Sequence, residues 1–415
     1  MNSEDLNTIF FRAREGDTIT LPAGKYLFNR TLKLSVNKVT ILGAGNGSDP
    51  ATNTILSFKG AAETNGLEAR FVKTVTLRKF GVEDAVGDAI MVSDSSDVLM
   101  DTVRAEWMTD PVKTSRMAYG LYPVACDNVQ IINSKAIGTR DAGVYVGQSK
   151  NIRVSGNEVY YNVAGIEIEN SRNAIVENND VHDNTGGILV FALPGTYRFA
   201  NNDGTIVRNN KIHDNNQPTA ANATGFVTAV PPGTGVMVLA SQNSEVSGNT
   251  ITKHKTAGIL AISFQATQIA FDPKVYDPYL RGFYAHDNRI DDFGGAPGGA
   301  FADPAGLGAV VDGMFASLKG NSLPQRLPAV IWDGIVDPAT GSTGSQGQGG
   351  QYKGNEQICS KTNVIDTLTV PGMISYENLD LDLLALLQGL SAAPNFPFPA
   401  RMNCSISMPP VTGLP

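Results

Sequence analysis

From Ser134 to Phe191 one pattern of apolar and polar positions is written three times. Each copy carries a glycine followed by a short apolar strand: Gly143 before Val144-Tyr145-Val146, Gly165 before Ile166-Glu167-Ile168, Gly187 before Ile188-Leu189-Val190. The glycines are 22 residues apart, and a fixed period of that order marks a solenoid in which each repeat is one turn. The apolar stretches are too short and too β-branched for helices, and nothing between them is long enough for a crossover helix. What remains is about three short strands per turn, each pairing in parallel with the next turn at roughly 4.8 Å. The pattern predicts an all-β chain, a right-handed parallel β-helix.

The same register extends in both directions. Gly66-Leu67, Ala89-Ile90, Gly120-Leu121, Gly235-Val236 and Gly258-Ile259 each open a strand, and the unequal steps place insertions at 103–118, 193–204 and 217–233. Extra loops on a rigid solenoid tend to gather on one face and wall a binding site. Asn157, Asn179, Asn210, Asn249 and Asn288, with Ser134 one coil earlier, hold equivalent places, as expected of side chains that stack and satisfy turn backbone. Residues 3–14 read as an amphipathic helix capped by Ser3, covering the first open coil, whose strand edges would otherwise invite aggregation. The β-helix is expected to fill 1–290. Residues 291–415 read as an irregular segment with a capped helix from Asn378 to Leu387, packing on or capping the solenoid.

Composition narrows the partners. The chain has 415 residues, only 17% of them charged, and a net charge of −8, which argues against a general nucleic-acid binder. No apolar run is long enough to span a membrane as a helix. Of the three cysteines, Cys359 and Cys404 flank the irregular C-terminal region, where a staple helps most, and Cys126 sits in a repeat as a buried thiol. A Cys359–Cys404 bridge implies export to an oxidising compartment, so the chain is expected to be secreted or periplasmic, its leader removed.

Candidate chemistry lies on the strand Ile166-Glu167-Ile168-Glu169. With the isoleucines inward, Glu167 and Glu169 project from the same face, and adjacent like charges on a strand need a compensating group. In neighbouring coils their columns carry Tyr145 and Tyr122 on one side, and the apolar strip Leu189, Phe191, Met237 and Leu239 on the other. Arg140, beside the Asp141 turn, and Lys113 and Arg116 of the first insertion could supply positive charge. Trp107, Tyr160, Tyr161 and His182 could complete a groove for sugar rings. Paired carboxylates with tyrosine and arginine suit general acid/base chemistry, or they could hold Ca²⁺. The spacing does not choose between these. The repeated His182-Asp183-Asn184 and His213-Asp214-Asn215 read as turn chemistry before a metal site, because no third histidine is in phase.

The strings AYGLYPVACDNVQI, DAGVYVGQS, NVAGIEIENS, NTGGILVFALPG and VPPGTGVMVLA resemble an exported bacterial family of parallel β-helix repeat-containing proteins. More broadly the chain is similar to the pectate lyase-like superfamily, whose enzymes mostly cleave or epimerise acidic polysaccharides. The resemblance implies the fold and export. That superfamily's catalytic strings, among them the alginate epimerase Asp-Pro-His-Asp, are absent here. Two readings follow. In the first, the chain is a lyase or hydrolase on a uronate-containing polysaccharide, with Glu167, Glu169, Tyr145 and Tyr122 as acid/base groups and Arg140, Lys113 or Arg116 neutralising the substrate carboxylate. In the second, it is a non-catalytic binding protein. An open groove of carboxylates and a basic group favours the first; a covered or apolar face favours the second.

Overall fold

The computed structural model describes residues 3–62, 65–108, 117–195, 197–303, 327–342, 353–365, 378–380 and 402–415. Its strands fall into three sheets of eleven, and in each sheet neighbouring strands come from successive coils. Every pairing is parallel, and the registers match the repeat read from the glycines: Val144 faces Ile166, which faces Ile188, which faces Val236. The first sheet begins at Thr18–Thr20, the second at Gly24–Leu27 and the third at Leu32–Leu34. Inward side chains such as Val144, Ile166, Ile188 and Val236 form one continuous core along the axis.

Two polar ladders hold the corners. At one, each asparagine side chain accepts from the backbone N–H of its counterpart a coil earlier: Asn157 serves Ser134, Asn179 serves Asn157, and the chain runs on to Asn210, Asn249, Asn288 and Asn363, at 2.9–3.1 Å. A second ladder, Asn162–Asn184–Asn215, stands at another corner and ends on His254, whose Nε2 meets the Asn215 amide at 3.1 Å. Burial holds the His254 imidazole neutral, its pKa lowered to about 3. Nε2 accepts there, so the ring proton sits on Nδ1.

The N-terminal helix, Ser3–Arg12, buries Leu6 and Phe10 against the core beside the first coils, as its apolar face predicts. At the other end strands continue beyond 290: Val330–Trp332, Ile358–Lys361 and Val364–Ile365 join the third, first and second sheets. Asn378–Asp380 is a strand pairing with Val330–Trp332 and not the start of a helix, because pairing to an open sheet edge outweighs local helix propensity. The rest of that expected helix lies outside the described residues. Cys359 and Cys404 are bridged, with Cα atoms 5.0 Å apart, and Cys126 is a buried thiol. The bridge ties the tail to the first sheet, where Tyr284 Oη donates to Ser405 and the Asn173 amide donates to the Thr412 carbonyl.

Candidate functional site

The outer face of the third sheet departs from the usual half-exposed strand. Ala142–Gly147, Ala164–Glu169, Gly186–Phe191 and Thr234–Leu239 are buried on both faces. Outward Leu189, Phe191, Met237 and Leu239 form a second apolar core with Val227 and Val230 from the 217–233 insertion and with Phe264, Tyr276 and Phe301. Tyr276 Oη donates to the Ala192 carbonyl at 2.5 Å and pins that cover down. The apolar strip is therefore no open groove. The described tail packs on the first sheet, so among the described residues the cover is made by loops between coils.

The register places the carboxylates as the repeat predicts. Glu167 lies between Tyr145 and Leu189, and Glu169 between Gly147 and Phe191. The expectation that they project into solvent is wrong: Glu167 is 2% exposed and Glu169 7%. Burial pushes Glu167 well above its usual value, and the neighbouring charges of Glu169 and Asp141 add to it. Burial also raises Glu169, against which hydrogen bonds to Glu167 and Tyr145 act. Among the described residues no donor reaches Oε2 of Glu167, and its side chain pairs with another carboxylate. Burial favours the protonated form of both, and the charge of each bears on the other, so the two glutamates act as one weakly acidic unit.

Gly147 makes this arrangement possible. A Cβ there would lie 2.2 Å from the Tyr145 hydroxyl, so the missing side chain lets the tyrosine ring lie across its own strand and reach Glu169. Tyr145 packs with Tyr119 and Tyr122 in a triad, ring centroids 4.5–5.0 Å apart. Tyr119 also hydrogen-bonds Asp141, which burial raises to about 7 against that bond and the attraction of Arg140. Asp88 rises to about 6, again by burial, and accepts from the Tyr119 backbone. Tyr197, 42% exposed, stands near enough to feel the charge of both glutamates. Tyr119, Tyr122, Asp88 and Arg140 are partly exposed, so the cluster opens to solvent on the tyrosine side and is closed on the apolar side. The result is a desolvated set of acids poised to exchange protons near neutral pH, with phenol donors at its mouth.

Glu167, Glu169, Tyr145, Tyr122, Asp141 and Arg140 are thus brought together. Three other expected residues are not. Trp107 is buried in the main core because it shares the inward parity of Ala105 two residues before it. Tyr160 and His182 belong to the second sheet, where Tyr160 stacks on His182 and His182 on His213, at centroid distances of 4.9 and 5.0 Å. There His182 Nδ1 meets Asp183 and His213 Nδ1 meets Asp214, each at 2.8 Å, which is the turn chemistry expected of the repeat. Among the described residues no three acid, histidine or cysteine side chains gather as a cation site. Lys113 and Arg116 lie outside the described residues. Asp88, Tyr119, Tyr197 and Gly147 were missed. Asp88 and Tyr119 had a readable signal: each stands two residues before a strand position, Ile90 or Leu121, already in register.

The family described as "Right handed beta helix region" matches residues 45–270 and 194–290. No curated protein matches the sequence. Solved structures of similar fold include the A-module of mannuronan C-5 epimerase AlgE4 from Azotobacter vinelandii, 14% identical over 88% of this chain and 90% of that one, TM-score 0.45. Alginate lyase from Paenibacillus sp. is 16% identical over 70% and 93%, TM-score 0.45. DFA-IIIase from Arthrobacter chlorophenolicus A6 in complex with GF2 is 13% identical over 88% and 90%, TM-score 0.36.

Proposed function

We propose that this chain, which belongs to the right-handed β-helix family, is an exported lyase acting on a uronate-containing polysaccharide at the Glu167–Glu169 face. The observation that carries the reading is the pair of buried glutamates, both raised by burial, beside tyrosine donors. Elimination from a uronate needs three things: relief of the carboxylate charge, a base for the proton next to it, and an acid for the leaving oxygen. With both glutamates protonated, as burial favours, a carboxyl O–H can donate to the uronate carboxylate, and Arg140 adds positive charge at the entrance. That is where enolate charge develops, and donors in a desolvated site stabilise it most. Asp141, raised to about 7, suits the base, since catalytic groups work best near the operating pH. It takes the proton, the electron pair forms the ring double bond, the glycosidic C–O bond breaks, and Tyr122 or Tyr119 protonates the leaving oxygen. Hydrolases hold their two carboxyls about 5 Å apart or further. The direct pairing of Glu167 with Glu169 makes them one unit and favours elimination.

The Cys359–Cys404 bridge supports an oxidising compartment. The covered apolar half of the same face supports a second reading, a non-catalytic carbohydrate-binding protein.

The test is ultraviolet absorbance of unsaturated ends on pectate, alginate and glucuronan, with calcium and with chelator, for wild type, Glu167→Gln and Glu169→Gln. New ends that vanish in both variants are expected. Retained polysaccharide binding without unsaturated or reducing ends would replace the lyase with the binding protein.

A further inference from the structure

A cavity of about 490 Å³ lies between the outer face of the third sheet and the loops that cover it. Phe226, Met237, Leu260, Phe301 and Ile331 give it apolar walls, and Asp333 sits in its lining. Its volume falls in the usual range for small-molecule sites, about 300–1,000 Å³, which are mostly apolar with a few placed polar groups. We propose that this cavity is a binding site for a small apolar or aromatic amine, its ammonium group paired with Asp333.

The charge pattern selects the class. No described residue lining the cavity is Lys, Arg or His, whereas Asp303 and Asp333 are both acidic. Asp333 is 1% exposed. Among the described residues its partners are neutral: the backbone N–H of Ser263 at 2.7 Å and of Ile335 at 3.2 Å, with the Ser263 hydroxyl beside them. These orient the carboxylate without cancelling its charge, and burial raises its pKa to about 7. A buried carboxylate on an apolar wall, with no counter-ion among the described lining residues, is complementary to a cation with an apolar body. An anion such as a uronate is disfavoured beside the Asp333 carboxylate, so the site differs from the Glu167 cluster in preference as well as in the coils that form it. The proposal does not depend on the lyase reading.

The experiment titrates the full-length protein with three probes of one shape: phenethylammonium, phenethyl alcohol and phenylacetate. Binding is followed by calorimetry or by ligand-observed NMR. The ammonium should bind about tenfold tighter than the alcohol, the difference expected of one hydrogen bond to a charged group, and phenylacetate weakest. Asp333→Asn should bring the ammonium down to the alcohol's affinity. Ala266→Trp, which fills the cavity from a partly exposed lining position, should abolish binding of all three. The proposal fails if wild type does not prefer the ammonium, if the preference survives Asp333→Asn, or if binding survives Ala266→Trp. Should Asp333→Asn not fold, the wild-type order together with Ala266→Trp still decides it.

Discussion

Glu177 and Glu167 sit on consecutive strands of the same solenoid, both nearly buried, and they behave in opposite ways. Glu177 projects from the first sheet, with Arg153 and Arg208 reaching it from the coils on either side at 2.7 and 2.8 Å. Those two cations hold its carboxyl below the usual range despite its burial. Glu167 projects from the third sheet between Tyr145 and Leu189, has Glu169 as its nearest acid, and is pushed up. The backbone places each acid in the same kind of slot. The difference lies wholly in what one coil up and one coil down contributes, and in whether loops exclude water. A β-helix therefore turns the same residue into a structural tie or an uncompensated acid, according to column neighbours 22 to 31 residues away in sequence.

The contrast breaks most clearly on activity. Glu167→Gln should lower lyase turnover by about 10²- to 10⁴-fold, the usual worth of a positioned acid or base. Glu177→Gln should leave it within about twofold, since that carboxylate ties two arginines of the first sheet and touches no group of the third-sheet site. Equal losses in the two variants would show that both act through the fold.

Next comes Gly147→Ala. Its Cβ would lie 2.2 Å from the Tyr145 hydroxyl, so the ring must leave and Glu169 loses its donor. Turnover should fall about tenfold, by the loss of one hydrogen bond to a charged group. Tyr145→Phe should reproduce that loss with no steric clash. A normal rate for Tyr145→Phe would remove the tyrosine from the site.

Thermal unfolding against pH sharpens the comparison further. A group raised on folding, such as Glu167 from 4.5, contributes stability below its unfolded pKa and loses it as pH rises through the folded value. Asp141 does the same between 3.8 and about 7. Glu177, lowered on folding, contributes above 4.5 and loses that contribution as pH falls through the folded value. Glu167→Gln should raise Tm at neutral pH by about 2 °C and flatten the decline on the alkaline side. Glu177→Gln should lower Tm at neutral pH and flatten the acid side. Slopes of the same sign would end the distinction.

The smallest effect is expected at His182. His182→Ala removes a ring from the Tyr160–His213 stack on the second sheet. It should cost about 1 kcal/mol of stability and leave lyase turnover within about twofold.

Much of this architecture is legible in the sequence. The columns Tyr122–Tyr145–Glu167–Leu189–Met237 and the asparagine ladder follow directly from counting along the repeat, because parallel in-register stacking converts a sequence period into a spatial column. Counting failed where a residue's sheet or face was misjudged. Tyr160 and His182 are as periodic as Glu167 but belong to another sheet, and Trp107 has the parity of a core residue. The second ladder is equally periodic, but only Asn184 and Asn215 stand in the repeated histidine motif, and Asn162, with no histidine beside it, escapes that pattern.

Period, strand parity and the Gly and Asn positions were thus settled by local chemistry: they depend on pleat geometry and on turns spanning few residues. Whether an outward face meets water could not be read that way. Loops at 217–233 and 263–280 fold back over strands far from them in the chain and bury the apolar strip, and Glu167 and Glu169 are buried beside it. Desolvation is a property of what packs above a side chain, not of its own neighbours in sequence. For that reason the tertiary fold alone made an outward pair of carboxylates into a buried pair with raised pKa values and left a cavity against Asp333.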